Sequence, residues 1–295
     1  MFSISLLYML MEIPKDKKVY FASDNHLGAP NSTDSLIREK KFVKWLNEIR
    51  VDAHAIFLVG DIFDFWFEYK KVVPKGFTRT LGKLAEICDA GIPIYYFTGN
   101  HDMWVQDYFQ KEIGMKIIRS PKEFIMNGVK FYIGHGDGLG PGDRSYKWMK
   151  KIFTNKFFIW CFKWVHPDVG VRLGQFLSKE NKIMSAEKDA VFIDEESEWL
   201  TKYCKRKLES EHYDFFIFGH RHLPLDVKLN SSSRYINLGD WITHFTFAEL
   251  DGKSLSLKNI RLIFLNFFVK FFVLSFPKYI FPISSITLHH CTWLF

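Results

Sequence analysis

Seven side chains in this 295-residue sequence are of types that bind divalent cations, and they fall in five short motifs. Asp24 and His26 lie in SDNH, Asp61 in GDIFD, Asn100 in GNHD, His135 in GHGDG, and His220 and His222 in GHRH. Together they offer carboxylate, imidazole and one amide, with no sulfur. That donor mix suits Mn, Fe or Zn at two adjacent positions and disfavours a structural zinc site. Two ions about 3.5–4 Å apart need a shared ligand. Asp61 is the natural bridge, because in chain order it lies between the two ligand pairs. A water held between two dications loses a proton readily at neutral pH, so the chemistry expected is metal-assisted hydrolysis.

Singly, each motif has a plainer explanation. A D-x-H triplet arises by chance, GD after a strand is often a turn, and GNHD can cap a helix. GHGDG and GHRH can be solvated loops. The case rests on their joint occurrence, each directly after a run that reads as a strand. Asp24 and His26, like His220 and His222, are two residues apart, which in extended chain places both on one side.

The runs that must position them share one design: VYFA (19–22), AIFLV (55–59), IPIYYF (92–97), VKFYI (129–133), FFIF (215–218) and RYINL (234–238). They are short, aromatic and β-branched, as buried strands are. Residues 34–50 and 78–90 carry apolar groups at helical spacing. The alternation predicts an α/β sandwich with function at the strand C-terminal ends. Residues 144–210 interrupt the strand series with a basic, aromatic, helical pattern and read as an inserted cap. Residues 245–260 read as a hairpin turning at Asp251-Gly252. A metal-binding body over 17–260 is thus expected, with the cap at 144–210 inside it.

Two segments stand apart. The apolar start has no positive flank or small-residue cleavage site and does not read as a signal peptide, and Met9 or Met11 are alternative starts. Residues 261–295 are apolar and nearly free of acids, with Asn266, Lys270 and two prolines inside. They have three readings: a membrane anchor, an oligomer contact, or a frame-shifted or read-through extension.

The bulk numbers fit an ordered protein, with 47% hydrophobic and 25% charged residues. Thirty-one phenylalanines bring the aromatic share to 18%, which prompts a search for an exposed aromatic surface. A net charge of +7 suits an anionic partner. The basic residues form no long run, so nucleic acid is not expected. The four cysteines are widely spaced without a CxxC pair, which fits a reducing cytosol.

The order DxH, GDxxD, GNHD, GHxD, GHxH over about residues 19–245 resembles the calcineurin-like metallophosphoesterase superfamily. The resemblance implies a four-layer α-β-β-α sandwich. It implies one ion held by Asp24, His26, Asp61 and His222, and another by Asp61, Asn100, His135 and His220. It places His101 beside the metals, where it contacts the phosphate or protonates the leaving oxygen. The alternative is a supporting histidine held by Asp102. Asp61, Asn100 and His101 are then the residues closest to the reaction. GDIFDFW, SDNHLG, HGDGLGPGD, FGHRHLPLD and INLGDW are further similar to the UDP-2,3-diacylglucosamine diphosphatases of lipid A synthesis. That resemblance implies two divalent ions, typically Mn²⁺, release of UMP and 2,3-diacylglucosamine 1-phosphate, and a place on the cytoplasmic face of the inner membrane. Well-known members carry Arg where this chain has His101, which puts the role of that position in question. Asn25 replaces a usually bulky residue.

In the cap, Tyr146, Met149, Phe153, Phe157, Trp160 and Trp164 recur at spacings of three and four and predict one apolar helix stripe flanked by lysines. It packs on the body, or it meets a membrane surface and acyl chains. Arg144, Arg172 and Lys182 are candidates for contact with diphosphate or uridine, and ordinary surface positions otherwise. Two rival functions remain open at this level: a metallophosphoesterase acting on nucleotides or other phosphodiesters, and a non-catalytic binding module of the same fold.

Overall fold

A computed structural model describes residues 8–140, 144–189 and 198–260. Within them the chain runs β1 (Met9–Met11), β2 (Lys18–Ala22), α1 (Ser32–Ile49), β3 (Ala53–Val59), α2 (Thr78–Asp89) and β4 (Ile94–Phe97). A π turn at Phe109–Ile113 leads to β5 (Lys116–Ile118), β6 (Lys122–Met126) and β7 (Val129–Ile133). The helices α3 (Arg144–Phe153), α4 (Lys156–Phe162), α5 (Pro167–Asp189) and α6 (Trp199–Leu208) follow. The last strands are β8 (Phe215–Phe218), β9 (Pro224–Lys228), β10 (Arg234–Leu238), β11 (Thr246–Asp251) and β12 (Ser254–Asn259).

The strands form two six-stranded sheets, ordered β12-β11-β2-β3-β4-β5 and β1-β6-β7-β8-β10-β9. Their inner faces meet in one apolar core containing Phe21, Phe57, Phe124, Phe131, Phe215 and Ile217. Rings stack along each sheet, Phe21 on Phe57 at 5.0 Å and Phe131 on Phe215 at 5.2 Å. Phe57 and Phe124 meet edge-on across the gap at 5.0 Å. Much of the phenylalanine excess therefore fills the interior. The outer faces are apolar too, as in strands covered on both sides. Trp45 of α1 packs against Tyr20 of β2, and Leu200 and Cys204 of α6 pack with Phe216 and Phe218 of β8. The layers are α-β-β-α, as expected.

This topology sets where the motifs fall. β2, β3 and β4 are mutually parallel, as are β7, β8 and β10, so each set ends at one edge of its sheet. Asp24, Asp61, His135 and His220 each stand two residues past the end of their strand, and Asn100 stands three past β4.

Several expectations need correction. β1, β5, β6 and β9 were not anticipated: they are short and lie at or near sheet edges, where alternation is weak. β1 pairs with β6, and Met11 and Ile13 enter the central core, so the body begins ahead of residue 17. β6 and β7 join through Asn127-Gly128, both at positive φ, an Asn-Gly hairpin signature that the strand reading passes over. Asp251 pairs with Ser254, so the last hairpin turns at Gly252-Lys253 rather than one residue earlier. The aromatic stripe is not one helix. It breaks at Asn155, whose side chain caps α4 by accepting from Phe157 N at 2.8 Å. Phe153 on α3 faces inward against Trp104, whereas Phe157, Trp160 and Trp164 are 62%, 56% and 76% exposed.

Among the described residues no helix is long and apolar enough to cross a membrane. The chain divides after Asn259, and the segment 261–295 lies outside the described residues.

Candidate metal centre

Five of the seven predicted ligands sit in left-handed backbone: Asp24, His26, Asp61, His220 and His222 have φ of 56°, 43°, 53°, 69° and 55°. Each such residue costs on the order of 1–3 kcal/mol, and clusters of them mark functional sites. This corrects the extended-chain argument. The D-x-H and H-x-H pairs converge because the chain turns sharply off each strand, not because it alternates.

The glycines before the ligands make the turns possible. Gly60 has φ of +87°, and a Cβ there would stand 2.5 Å from His135 Nδ1. A Cβ on Gly99 would overlap the Asp61 carboxylate. The backbone then closes the loops on one another: Asp24 N donates to Gly60 O at 3.1 Å, and His26 N donates to Asp61 O at 2.9 Å.

The side chains meet in three overlapping groups: Asp24, His26 and His222; His26, Asp61 and His101; and Asp61, His135 and His220. Asp61 Oδ2 lies 3.8 Å from His26 Nε2 and 3.2 Å from His135 Nε2, so one carboxylate oxygen faces both ends of the cluster. Asn100 Oδ1 is 3.2 Å from His135 Nε2. Asp24 Oδ1 is 3.3 Å from His222 Nε2, and Asp24 Oδ2 accepts from His220 N at 2.9 Å. Asp24, His26, Asp61 and His135 are all buried.

The imidazoles are oriented by residues that the motif reading did not single out for this work. His26 Nδ1 is 3.1 Å from Asp64 Oδ1, and His135 Nδ1 is 2.9 Å from the Val59 carbonyl. His101 Nδ1 is 3.1 Å from the Asp64 carbonyl. Each oxygen is placed to accept the Nδ1 proton, so Nε2 is the nitrogen turned toward the cluster, able to bind a cation once it gives up any proton of its own. Ser178 of α5 donates to Asp64 Oδ2 at 2.8 Å and stands 2.9 Å from His101 Nδ1, tying the cap to the site. Asp240 lies 3.8 Å from His222 Nδ1. Asp64 in GDIFD and Asp240 in GDW were visible as acids near strand ends. Nothing local marks Ser178.

Asp102 does not hold His101. It is buried and accepts from Gly99 N at 2.7 Å, Ile62 N at 2.9 Å and the Tyr96 hydroxyl at 2.5 Å. It thus braces the two loops that carry Asp61 and Asn100. Burial and the nearby Asp61 push its carboxyl up to about 7. Arg172 is exposed on α5. The side chains of Arg144 and Lys182 lie outside the described residues.

The residues fit divalent cations. Burial disfavours charge at His135, yet Asp61 beside it pushes the imidazole up to about 10. Burial would raise Asp61, but His135 and His101 hold it well below the usual carboxylate range. Protons thus supply the positive charge that the buried acids demand. His26 Nε2 and His222 Nε2 are 3.0 Å apart, a separation that needs a proton or a cation between two lone pairs. Asp24 Oδ1 is buried without a hydrogen-bond partner.

Residues 17–224 match the model of the calcineurin-like phosphoesterases. The chain belongs to that family. Among curated relatives, it is 38% identical over 256 residues to a UDP-2,3-diacylglucosamine hydrolase of Porphyromonas gingivalis, covering 83% of this chain and 98% of the relative. Proteins of the same name from Pseudomonas aeruginosa and Shewanella sp. are 27% and 24% identical, over 80% and 82% of this chain and 96% and 97% of theirs. The family and the Asp/His groups together make this phosphoesterase a divalent-metal enzyme.

Proposed function

We propose that the protein hydrolyses the diphosphate of UDP-2,3-diacylglucosamine, releasing UMP and 2,3-diacylglucosamine 1-phosphate, with two Mn²⁺ ions. One observation carries the substrate: an alignment that spans 83% of this chain cannot leave out residues 144–210, so the likeness to the P. gingivalis hydrolase takes in the cap as well as the ligand loops.

Asp24, His26, Asp61 and His222 hold one ion, and Asp61, Asn100, His135 and His220 the other. The ions supply charge neutralisation at the phosphate oxygens and an activated water. The chain's own residues do the rest. Asp61 spaces the two positions, since its Oδ2 faces His26 and His135 at once. Asp64 and the Val59 carbonyl keep Nε2 of His26 and His135 turned inward. His101 Nε2, 4.0 Å from Asp61 Oδ2, is oriented by the Asp64 carbonyl and Ser178 toward the space where the phosphate binds. A phosphate monoester leaves without strong acid assistance, so His101 contacts charge rather than supplying an essential proton.

The partner is a lipid, and the cap's exposed rings Phe157, Phe158, Trp160 and Trp164, with Lys151 and Lys156 close by in sequence, suit an anionic membrane surface. This supports a peripheral place on the cytoplasmic face of the inner membrane.

Incubation with UDP-2,3-diacylglucosamine, with and without Mn²⁺, tests the reading. UMP release that requires the metal is expected. Hydrolysis of a generic phosphodiester with no UMP from the glycolipid would move the assignment to a nucleotide- or phosphodiester-cleaving relative.

A further inference from the structure

His220 and His222 face the metal cluster, whereas Arg221 between them engages helix α6. Its Nε donates to Glu198 Oε1 at 3.2 Å and to Oε2 at 3.0 Å, and Nη2 lies 3.0 Å from Oε2. Only 8% of the Arg221 side chain and 1% of the Glu198 side chain meet solvent. A buried ion pair is weak evidence for stability, since apolar groups of similar volume often serve as well. What the pair adds is direction. Glu198 is the N-cap of α6 and accepts from Leu200 N, and α6 is seated on β8 through Leu200 and Cys204. The same end of α6 meets the ligand loops twice more. The Trp199 ring stands edge-on to His220 at 6.1 Å. A Cβ on Gly136, next to His135, would lie 3.5 Å from both Leu200 and His220.

We infer that Arg221 and Glu198 are positioning residues for both metal positions at once; this rests on the ligand assignment proposed above. Under that assignment His222 serves one ion and His220 the other, so the residue between them sets the angle of a ligand to each. Both histidines occupy left-handed backbone, which persists only where the surroundings over-determine it. Arg221 N closes the turn by donating to Gly219 O at 2.8 Å, and Asn237 Nδ2 donates to the same oxygen at 2.6 Å. The guanidinium fork then fixes the turn against α6 in orientation as well as distance, which a point charge would not do. Glu198 thus does for the histidines of the second sheet what Asp64 does for His26 of the first.

Stepwise calorimetric titration of the metal-free full chain with Mn²⁺ tests this. Arg221→Met/Glu198→Leu replaces both buried charges by apolar groups and leaves neither unpaired. Its metal-free melting temperature is expected within about 3 °C of wild type. Both Mn²⁺ steps should nevertheless weaken by about tenfold or more. Arg221→Lys keeps the charge without the fork and should weaken both steps by less, which decides the matter if the double variant does not fold. His222→Ala, as a control, should weaken one step alone. Wild-type affinity in Arg221→Lys or in the folded double variant, or weakening of a single step, overturns the positioning role and leaves the ligand assignment standing. A wild-type chain that takes up fewer than two Mn²⁺ ions overturns that assignment and this inference with it.

Discussion

Asp61 and His135 each hold the other in its charged form, and this pair sets how the cluster responds to pH. His135 rises from its ordinary value near 6.5 to about 10 through Asp61, so in metal-free protein the native state keeps a proton that the unfolded state gives up between those values. Its contribution to stability is complete below about pH 6.5 and lost as pH climbs toward 10. A cation must displace that proton, so metal affinity changes in the opposite sense. Melting temperatures with chelator and with Mn²⁺ should therefore diverge as pH rises from 6.5 to 9, and parallel curves would contradict the linkage. Asp61→Asn and His135→Ala should each lower turnover by more than about 100-fold with native far-ultraviolet dichroism. Retention of full Mn²⁺-dependent turnover would refute the site. At Asn25 both amide atoms of the side chain are buried without a hydrogen-bond partner. Asn25→Leu should raise stability by about 1–3 kcal/mol, measured by urea unfolding.

At the scale of elements, the central strands were legible because buried strands write themselves as aromatic and β-branched runs, and the candidate ligands could be placed at one edge because their motifs follow such runs. What was not legible depends on contacts distant in sequence. Ser178 reaches Asp64 across 114 positions, and no local pattern around it differs from an ordinary helix surface. The alternative in which Asp102 holds His101 fails for the same reason: the Asp102 partners Ile62 and Tyr96 come from another loop and a strand. The break of the aromatic stripe at Asn155 was readable as a cap residue, but regular spacing across it outweighed one asparagine. The left-handed turns carry a prediction of their own. Gly99→Ala drives a methyl group into Asp61 and should cost about 1–3 kcal/mol of stability in chemical denaturation while lowering metal occupancy. Unchanged metal content by mass spectrometry would show that the loops have room to spare.

For the whole molecule, the aromatic excess divides between a stacked core and a cap several of whose rings, Phe157, Trp160 and Trp164 among them, face outward. If the outward rings meet a bilayer, Trp160→Ala/Trp164→Ala should reduce co-sedimentation with vesicles containing anionic lipid by at least fivefold. UMP affinity should stay unchanged. Equal sedimentation of variant and wild type would leave the rings without that role. The distribution of ligands between the sheets has a broader consequence. Asp24, His26, Asp61 and Asn100 hang from one sheet, and His135, His220 and His222 from the other. Ions held as proposed would be gripped from both sides and would cross-link the two halves of the sandwich, reinforcing a seam of apolar contact and a few hydrogen bonds such as His220 N to Asp24 Oδ2. A chelator would then do more than silence the enzyme: it would loosen the joint between the halves, and hydrogen exchange should quicken first along the strand ends that border the seam.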